Sequence, residues 1–107
     1  MKTIEGLTAE EERAAEMFRA LGNPARLRIV AELARRKVCQ TGDLVDVLPL
    51  AQSTVSQHLK VLKEAGIVRG DIDGEPCYCL EPDAIRFVME FCEAVGDPGR
   101  CDPASGC

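Results

Sequence analysis

The stretch from Leu50 to Gly66, Leu-Ala-Gln-Ser-Thr-Val-Ser-Gln-His-Leu-Lys-Val-Leu-Lys-Glu-Ala-Gly, constrains this chain more than any other. Val55, Leu59, Leu62 and Ala65 recur at helical spacing, so one stripe of a helix is set to sit on a core. The outward face carries Gln52, Ser53, Thr54, Ser56, Gln57 and His58, followed by Lys60 and Lys63. Ordinary solvated helices carry mixed Glu and Lys pairs on that face. Short hydrogen-bonding side chains at a helix start, with cations behind them, instead match the needs of base edges and phosphates. The segment reads as a helix that contacts double-stranded DNA.

A formal net charge of −5 looks unfavourable for such a partner, so the location of the charges matters. Residues 24 to 37 hold five Lys or Arg and one acid, and residues 51 to 70 hold three and one. From Asp71 onward there are nine acids and two bases. The acidity lies away from the reading segment, and a local basic surface can still meet phosphates. The 107 residues suit one domain with a modest core that gains from dimerisation. No apolar run reaches the ~18 residues of a membrane span, and the charged, acidic start is unlike a signal peptide, so a cytoplasmic protein is expected.

The rest of the chain supplies further helices. Thr8 and Glu11 form a capping box, opening a helix to about Leu21 with Ala14, Met17, Phe18 and Leu21 on one face. Gly22 ends it. Asn23 caps a second helix with Pro24 in its first turn, burying Leu27, Val30 and Leu33 or Ala34 and closing on Arg35, Arg36 and Lys37 near its carbonyl end. A short extended piece, Val38 to Gln40, precedes a brief helix capped by Thr41 and carrying Leu44, Val45 and Leu48. Pro49 stops that helix. With the next one it makes a helix-turn-helix.

Two short runs, Ile67-Val68-Arg69 and Cys77-Tyr78-Cys79-Leu80, flank a Gly/Asp loop and read as a β-hairpin, placed where a wing would be. Pro82 and Asp83 start a last helix with Ile85, Val88, Met89, Cys92 and Val95 along one stripe. The expectation is a mainly α winged helix-turn-helix of about five helices with a two-stranded wing. Residues 1–95 form the DNA-binding and dimerisation domain, and residues 96–107 a flexible tail containing cysteines.

This order of elements, with Phe18-Arg19-Ala20-Leu21-Gly22-Asn23-Pro24-Ala25-Arg26-Leu27-Arg28-Ile29-Val30 and Gln52 to Gly66, resembles the ArsR family of winged-helix metal- and metalloid-sensing repressors. The likeness covers about residues 10 to 90, with two separate motifs at the family's distance. It implies a homodimer built by the first and last helices, bound to operator DNA when metal-free. Ser53, Thr54, Ser56, Gln57 and His58 would approach the major groove, and Arg69 with the loop near Gly74 the flanking minor groove or backbone.

The departures are informative. Ala51 stands where the family often has Ser, removing a helix cap. Many arsenic-sensing members carry Cys-Val-Cys entering the first helix of the helix-turn-helix, where this chain reads Gln40-Thr41-Gly42-Asp43. Zinc- and nickel-sensing relatives use His and Asp on the last helix, whereas His58 is the single histidine here and lies in the reading helix. A sensor site in this chain must be dominated by thiolates.

Six cysteines are many for this length, and without an export signal they read as reduced thiols awaiting a soft metal or an oxidant. One set is Cys92, Cys101 and Cys107, with a mobile tail folding two sulfurs back toward the last helix. Three thiolates suit a trivalent arsenic or antimony ion. Cys92 reads equally as a small core or dimer-interface residue. The other set is Cys39, Cys77 and Cys79: strand alternation puts Cys77 and Cys79 on one face, with Tyr78 and Leu80 on the core side, and the piece holding Cys39 alongside.

The tail set is preferred, with metalloid binding releasing the operator. Small residues filling a strand explain Cys77 and Cys79 at least as well as a metal site does. A thiol-redox or persulfide sensor of the same fold is the rival within regulators, and a winged-helix protein-interaction module the rival outside them. The polar face from Gln52 to His58 opposes an interaction module, since such surfaces favour aromatic and Met anchors. An enzyme is not expected, because no group orients a Cys–His58 pair and no glycine loop cradles phosphate. No enzyme cofactor follows.

Overall fold

The computed structural model describes residues 5–36, 39–70 and 77–96. Five helices and three short strands follow in the order α1 (Ala9–Leu21), α2 (Pro24–Arg36), β1 (Cys39–Gln40), α3 (Thr41–Val47), α4 (Gln52–Glu64), β2 (Val68–Gly70), β3 (Cys77–Leu80) and α5 (Pro82–Val95). The hairpin loop, residues 71–76 including Gly74, and the tail from residue 97 lie outside the described residues.

Local chemistry explains where the first helices start. The Glu11 amide donates to Thr8 Oγ1 at 3.0 Å, and the Thr8 amide donates to Glu11 Oε1 at 3.1 Å, so two orphan donors of α1 are satisfied reciprocally. Asn23 Oδ1 accepts from the amides of Ala25 and Arg26 at 2.9 and 3.2 Å, and caps α2 as its sequence position predicts. Thr41 is the first residue of α3 and is buried.

The core joins Met17 and Ala20 of α1, Ile29 and Leu33 of α2, Leu44 and Leu48 around α3, Val55, Leu59 and Leu62 of α4, then Ile67, Val68 and Ala84. Each large member contributes roughly 1.5–3 kcal/mol by leaving water. Three helix faces differ from expectation. On α1, Ala20 is buried while Phe18 is exposed. On α2 the buried side chains are Ile29, Glu32 and Leu33; Leu27 is 53% exposed and Val30 only half-buried. This helix has apolar residues around much of its circumference, and the face carrying Ile29 turns inward. On α5, Ala84 is buried and Ile85 and Val88 pack at the core edge, whereas Met89, Cys92 and Val95 face outward.

The three strands form one antiparallel sheet ordered β1-β3-β2. The wing is therefore the expected β2–β3 pair with β1 added to the other side of β3. Its register pairs Val68 with Leu80, Arg69 with Cys79 and Gly70 with Tyr78. A Cβ at Gly70 would collide with the Tyr78 ring, so the aromatic lies directly across the glycine.

Gly66 sets the junction between α4 and the wing. Its φ of 79° is left-handed; its amide donates to Lys63 O, and the Ile67 amide to Leu62 O, both at 3.0 Å. This is a Schellman closure, and its accompanying apolar pair, Leu62 and Ile67, is fully buried. Gly66 itself is exposed, and the chain runs directly from it through buried Ile67 into β2.

Candidate DNA interface and thiol positions

Helix α4 shows how one element serves both core and surface. Val55, Leu59 and Leu62 are at most 1% exposed. At about 100° per residue, Ser53, Gln57, Lys60 and Glu64 fall on the opposite side, and all four are exposed. Gln52, Ser56 and Lys63 are also exposed and lie on one shoulder. Thr54 and His58 occupy the other shoulder and are half-buried against the domain. The predicted reading face is thus presented by its centre and one flank, with Thr54 and His58 at its edge.

The start of α4 has an extended N-cap at Ala51, with φ −66° and ψ 153°, and no side-chain cap among the described residues. Only the Ala51 carbonyl closes the first turn, accepting from Thr54 and Val55 at 3.0 Å each. No acidic residue occupies that turn, so nothing there offsets the positive end of the helix dipole.

Arg69 projects from β2 beside this helix. Its Nε donates to Cys79 Sγ at 3.4 Å, and the same nitrogen lies 3.3 Å from Glu81 Oε1. Accepting the Arg69 proton at Cys79, and to a lesser degree the Glu81 charge, holds the guanidinium still more firmly protonated than usual. Sequence reasoning missed Glu81. The available signal was its place two residues beyond Cys79, which continues the same face of the strand.

A second ion cluster was also missed. Glu32, buried on α2, accepts from Arg35 at 2.7 Å and Arg36 at 3.1 Å. The Arg35 hydrogen bond, opposed by burial and aided by Arg36, holds the Glu32 carboxyl below its ordinary range. Two cations at the end of α2 are therefore partly engaged within the helix. The i, i+3 and i, i+4 spacing was the signal.

Three thiols, those of Cys77, Cys79 and Cys92, lie among the described side chains. Cys92 is exposed on α5, and its expected partners Cys101 and Cys107 lie outside the described residues. On β3, Tyr78 and Leu80 pack against the core as predicted, leaving Cys77 and Cys79 on the other face. Cys79 is nonetheless only 8% exposed, because Arg69 crosses it. The β1–β3 register pairs Cys39 with Tyr78 and Gln40 with Cys77. The strand pairing sets Cys39 on the strand next to Cys77 and Cys79, and its side chain lies outside the described residues. Among the described residues, no group of three His, Cys, Asp or Glu side chains is placed to hold a metal ion. No described helix is long and apolar enough to cross a membrane.

Residues 23–69, from the α2 cap to Arg69, match the family model of bacterial regulatory proteins of the arsR family. The HTH-type transcriptional repressor SmtB of Mycobacterium tuberculosis is 46% identical over 90 residues, covering 83% of this chain and 64% of that protein. The transcriptional repressor PagR of Bacillus anthracis is 42% identical over 92 residues, covering 86% of this chain and 91% of PagR. The chain belongs to the ArsR family. An ArsR-like transcriptional regulator from Rhodococcus sp. RHA1 superposes with a TM-score of 0.74 at 23% identity, over 83% of this chain and 84% of the other, which shows the shared winged-helix fold. This ArsR-family chain spans about two thirds of the length of the mycobacterial repressor that it matches.

Proposed function

We propose that this ArsR-family chain is a transcriptional repressor that binds operator DNA as a homodimer and releases it when cysteine thiolates capture trivalent arsenic or antimony. The observation that carries the DNA reading is the exposed polar face of α4. Ser53, Ser56, Gln57 and Lys60 stand on a helix whose other side is locked into the core. Such a helix enters a major groove without losing its packing, its short polar side chains meeting base edges and its lysines the phosphates. The uncapped start of α4 favours anions for the same reason.

The dimer reading draws support from apolar side chains at the surface of the first and last helices. Phe18 and Val95 are 42% and 66% exposed, and the Phe18 ring meets Phe91 of α5 edge-on with centroids 6.1 Å apart. Large apolar groups in water mark interaction surfaces when they cluster. Two reading helices in such a dimer would address half-sites one helical turn apart, ~34–36 Å.

For sensing, the preferred ligands are Cys92, Cys101 and Cys107. The exposure of Cys92 supports this set, since a side chain facing outward from α5 is open to incoming sulfurs. Three thiolates around a trivalent ion satisfy its bonding with no other residue type. Coupling of ~1–3 kcal/mol between ion and operator is typical of such linkage.

The test is a Cys101→Ser/Cys107→Ser variant titrated with arsenite on operator DNA selected by the wild-type protein. Retained binding with loss of arsenite release supports the assignment. Retained release moves the site elsewhere. Stoichiometric release by a disulfide-forming oxidant, with no arsenite bound, would replace metalloid sensing by redox sensing.

A further inference from the structure

We infer that Glu81 is an intramolecular rival of the operator phosphate for Arg69, and so sets how much affinity the wing contributes to DNA binding. The inference rests on the DNA-binding reading above and extends it to a residue outside the reading helix.

The geometry is specific. Arg69 and Cys79 face each other across the β2–β3 ladder, and Glu81 follows two residues after Cys79 at the start of α5. The Arg69 Nε is held at once by Cys79 Sγ at 3.4 Å and Glu81 Oε1 at 3.3 Å. The Arg69 side chain is still 59% exposed and that of Glu81 32%, so the pair sits at the surface where a phosphate can reach it.

An arginine contributes to DNA affinity by neutralising a phosphate and releasing its counterion. With Glu81 alongside, the local pair carries no net charge. A phosphate must then either displace the carboxylate or accept an arginine whose charge is already compensated. Replacing Glu81 by Gln removes the compensation and keeps the side chain's size. The Cys79 contact remains and keeps the guanidinium parked on the wing.

Helix α5 has little stake in the Glu81 carboxylate. Its N-cap position makes no side-chain cap bond, and the fold uses the Glu81 backbone. The amide donates to Ile67 O at 2.8 Å, and the carbonyl accepts from Ala84 and Ile85. Loss of a negative charge at a helix start slightly weakens the helix. The two effects of Glu81→Gln therefore have opposite signs: thermal stability is unchanged or slightly lower, while DNA binding tightens. A role confined to holding the start of α5 predicts lower stability without a steeper salt slope.

The experiment measures the salt dependence of binding to a fluorescein-labelled operator duplex, selected from a randomised pool by the wild-type protein. It compares wild type, Glu81→Gln, Arg69→Ala and the double variant. The expected result for Glu81→Gln is roughly 2- to 5-fold tighter binding at low salt, the range of a released surface ion pair. Its log–log salt slope should steepen by about 0.9 per protomer. On the Arg69→Ala background the same substitution should leave the slope unchanged. An unchanged affinity and slope for Glu81→Gln, with wild type binding normally, overturns the rivalry and leaves the repressor reading standing. Equal steepening with and without Arg69 also overturns it, by assigning the effect to general repulsion between Glu81 and DNA. If the selection yields no duplex bound by wild type or variants, the repressor reading fails and the inference fails with it.

Discussion

Replacing Gly66 by Ala tests the junction between α4 and the wing. Gly66 has φ 79°, and a Cβ built there meets nothing within 4 Å. The cost is therefore local to the backbone, with no clash against residues beyond its chain neighbours. A left-handed backbone costs an L-residue roughly 1–2 kcal/mol. Against this, Ala loses less freedom than Gly on folding, a gain of roughly 0.4–1 kcal/mol. The first effect wins, by about 1 kcal/mol. For a domain near 100 residues this lowers Tm by roughly 4–8 °C at fixed protein concentration. Urea unfolding should show a lower midpoint with an unchanged slope, because native compactness is retained. A Gly66→Ala protein as stable as wild type, or more so, would refute the left-handed closure. The comparison with Gly70→Ala sharpens the test, since there the added methyl meets the Tyr78 ring and the wing must shift.

Ala51→Ser supplies the side-chain cap that α4 lacks. Residue 51 already has the extended backbone of an N-cap, so urea titration should show a gain of about 1 kcal/mol. Arg69→Ala uncovers the Cys79 thiol, and peptide mapping after iodoacetamide treatment should show faster labelling at Cys79, with Cys92 unaffected. Glu32 has its carboxyl pulled down by Arg35 and Arg36, so its contribution to stability is present above the unfolded carboxylate pKa, about 4.3, and is lost as pH falls through the lower folded value. Urea midpoints should therefore fall more steeply for wild type than for Glu32→Gln as pH drops below about 4.5; parallel curves would remove the cluster from the account.

The sequence was most legible where one local interaction decides the outcome. Thr8 with Glu11, Asn23 before Pro24, and the missing hydroxyl at Ala51 each define a helix terminus within four residues, and the structure shows all three. The inward stripe of α4 was equally plain, because its other sides are polar. On α2 the same reasoning failed. Apolar residues surround that helix, so periodicity alone could not choose between the Leu27 face and the Ile29 face. The choice comes from packing against α4 and the sheet. Sheet register is invisible in a single strand, and a one-residue offset moves every side chain to the other face. This is why Cys39 could be placed next to β3 without its pairing partner, Tyr78, being named. The burial of Cys79 was hidden for a related reason: it depends on an arginine reaching across from β2, ten residues earlier in the chain.

The central claim is that thiol occupancy governs the grip of α4 on DNA. Fluorescence anisotropy of the selected operator with fully reduced wild-type protein, titrated with arsenite under nitrogen, addresses it directly. The account predicts that the labelled duplex is released as arsenite saturates the protein, with a 5- to 150-fold loss of affinity, the usual range for such coupling. An operator held equally tightly at saturating arsenite and antimonite would contradict it, and would leave a DNA-binding protein whose cysteines do not govern release.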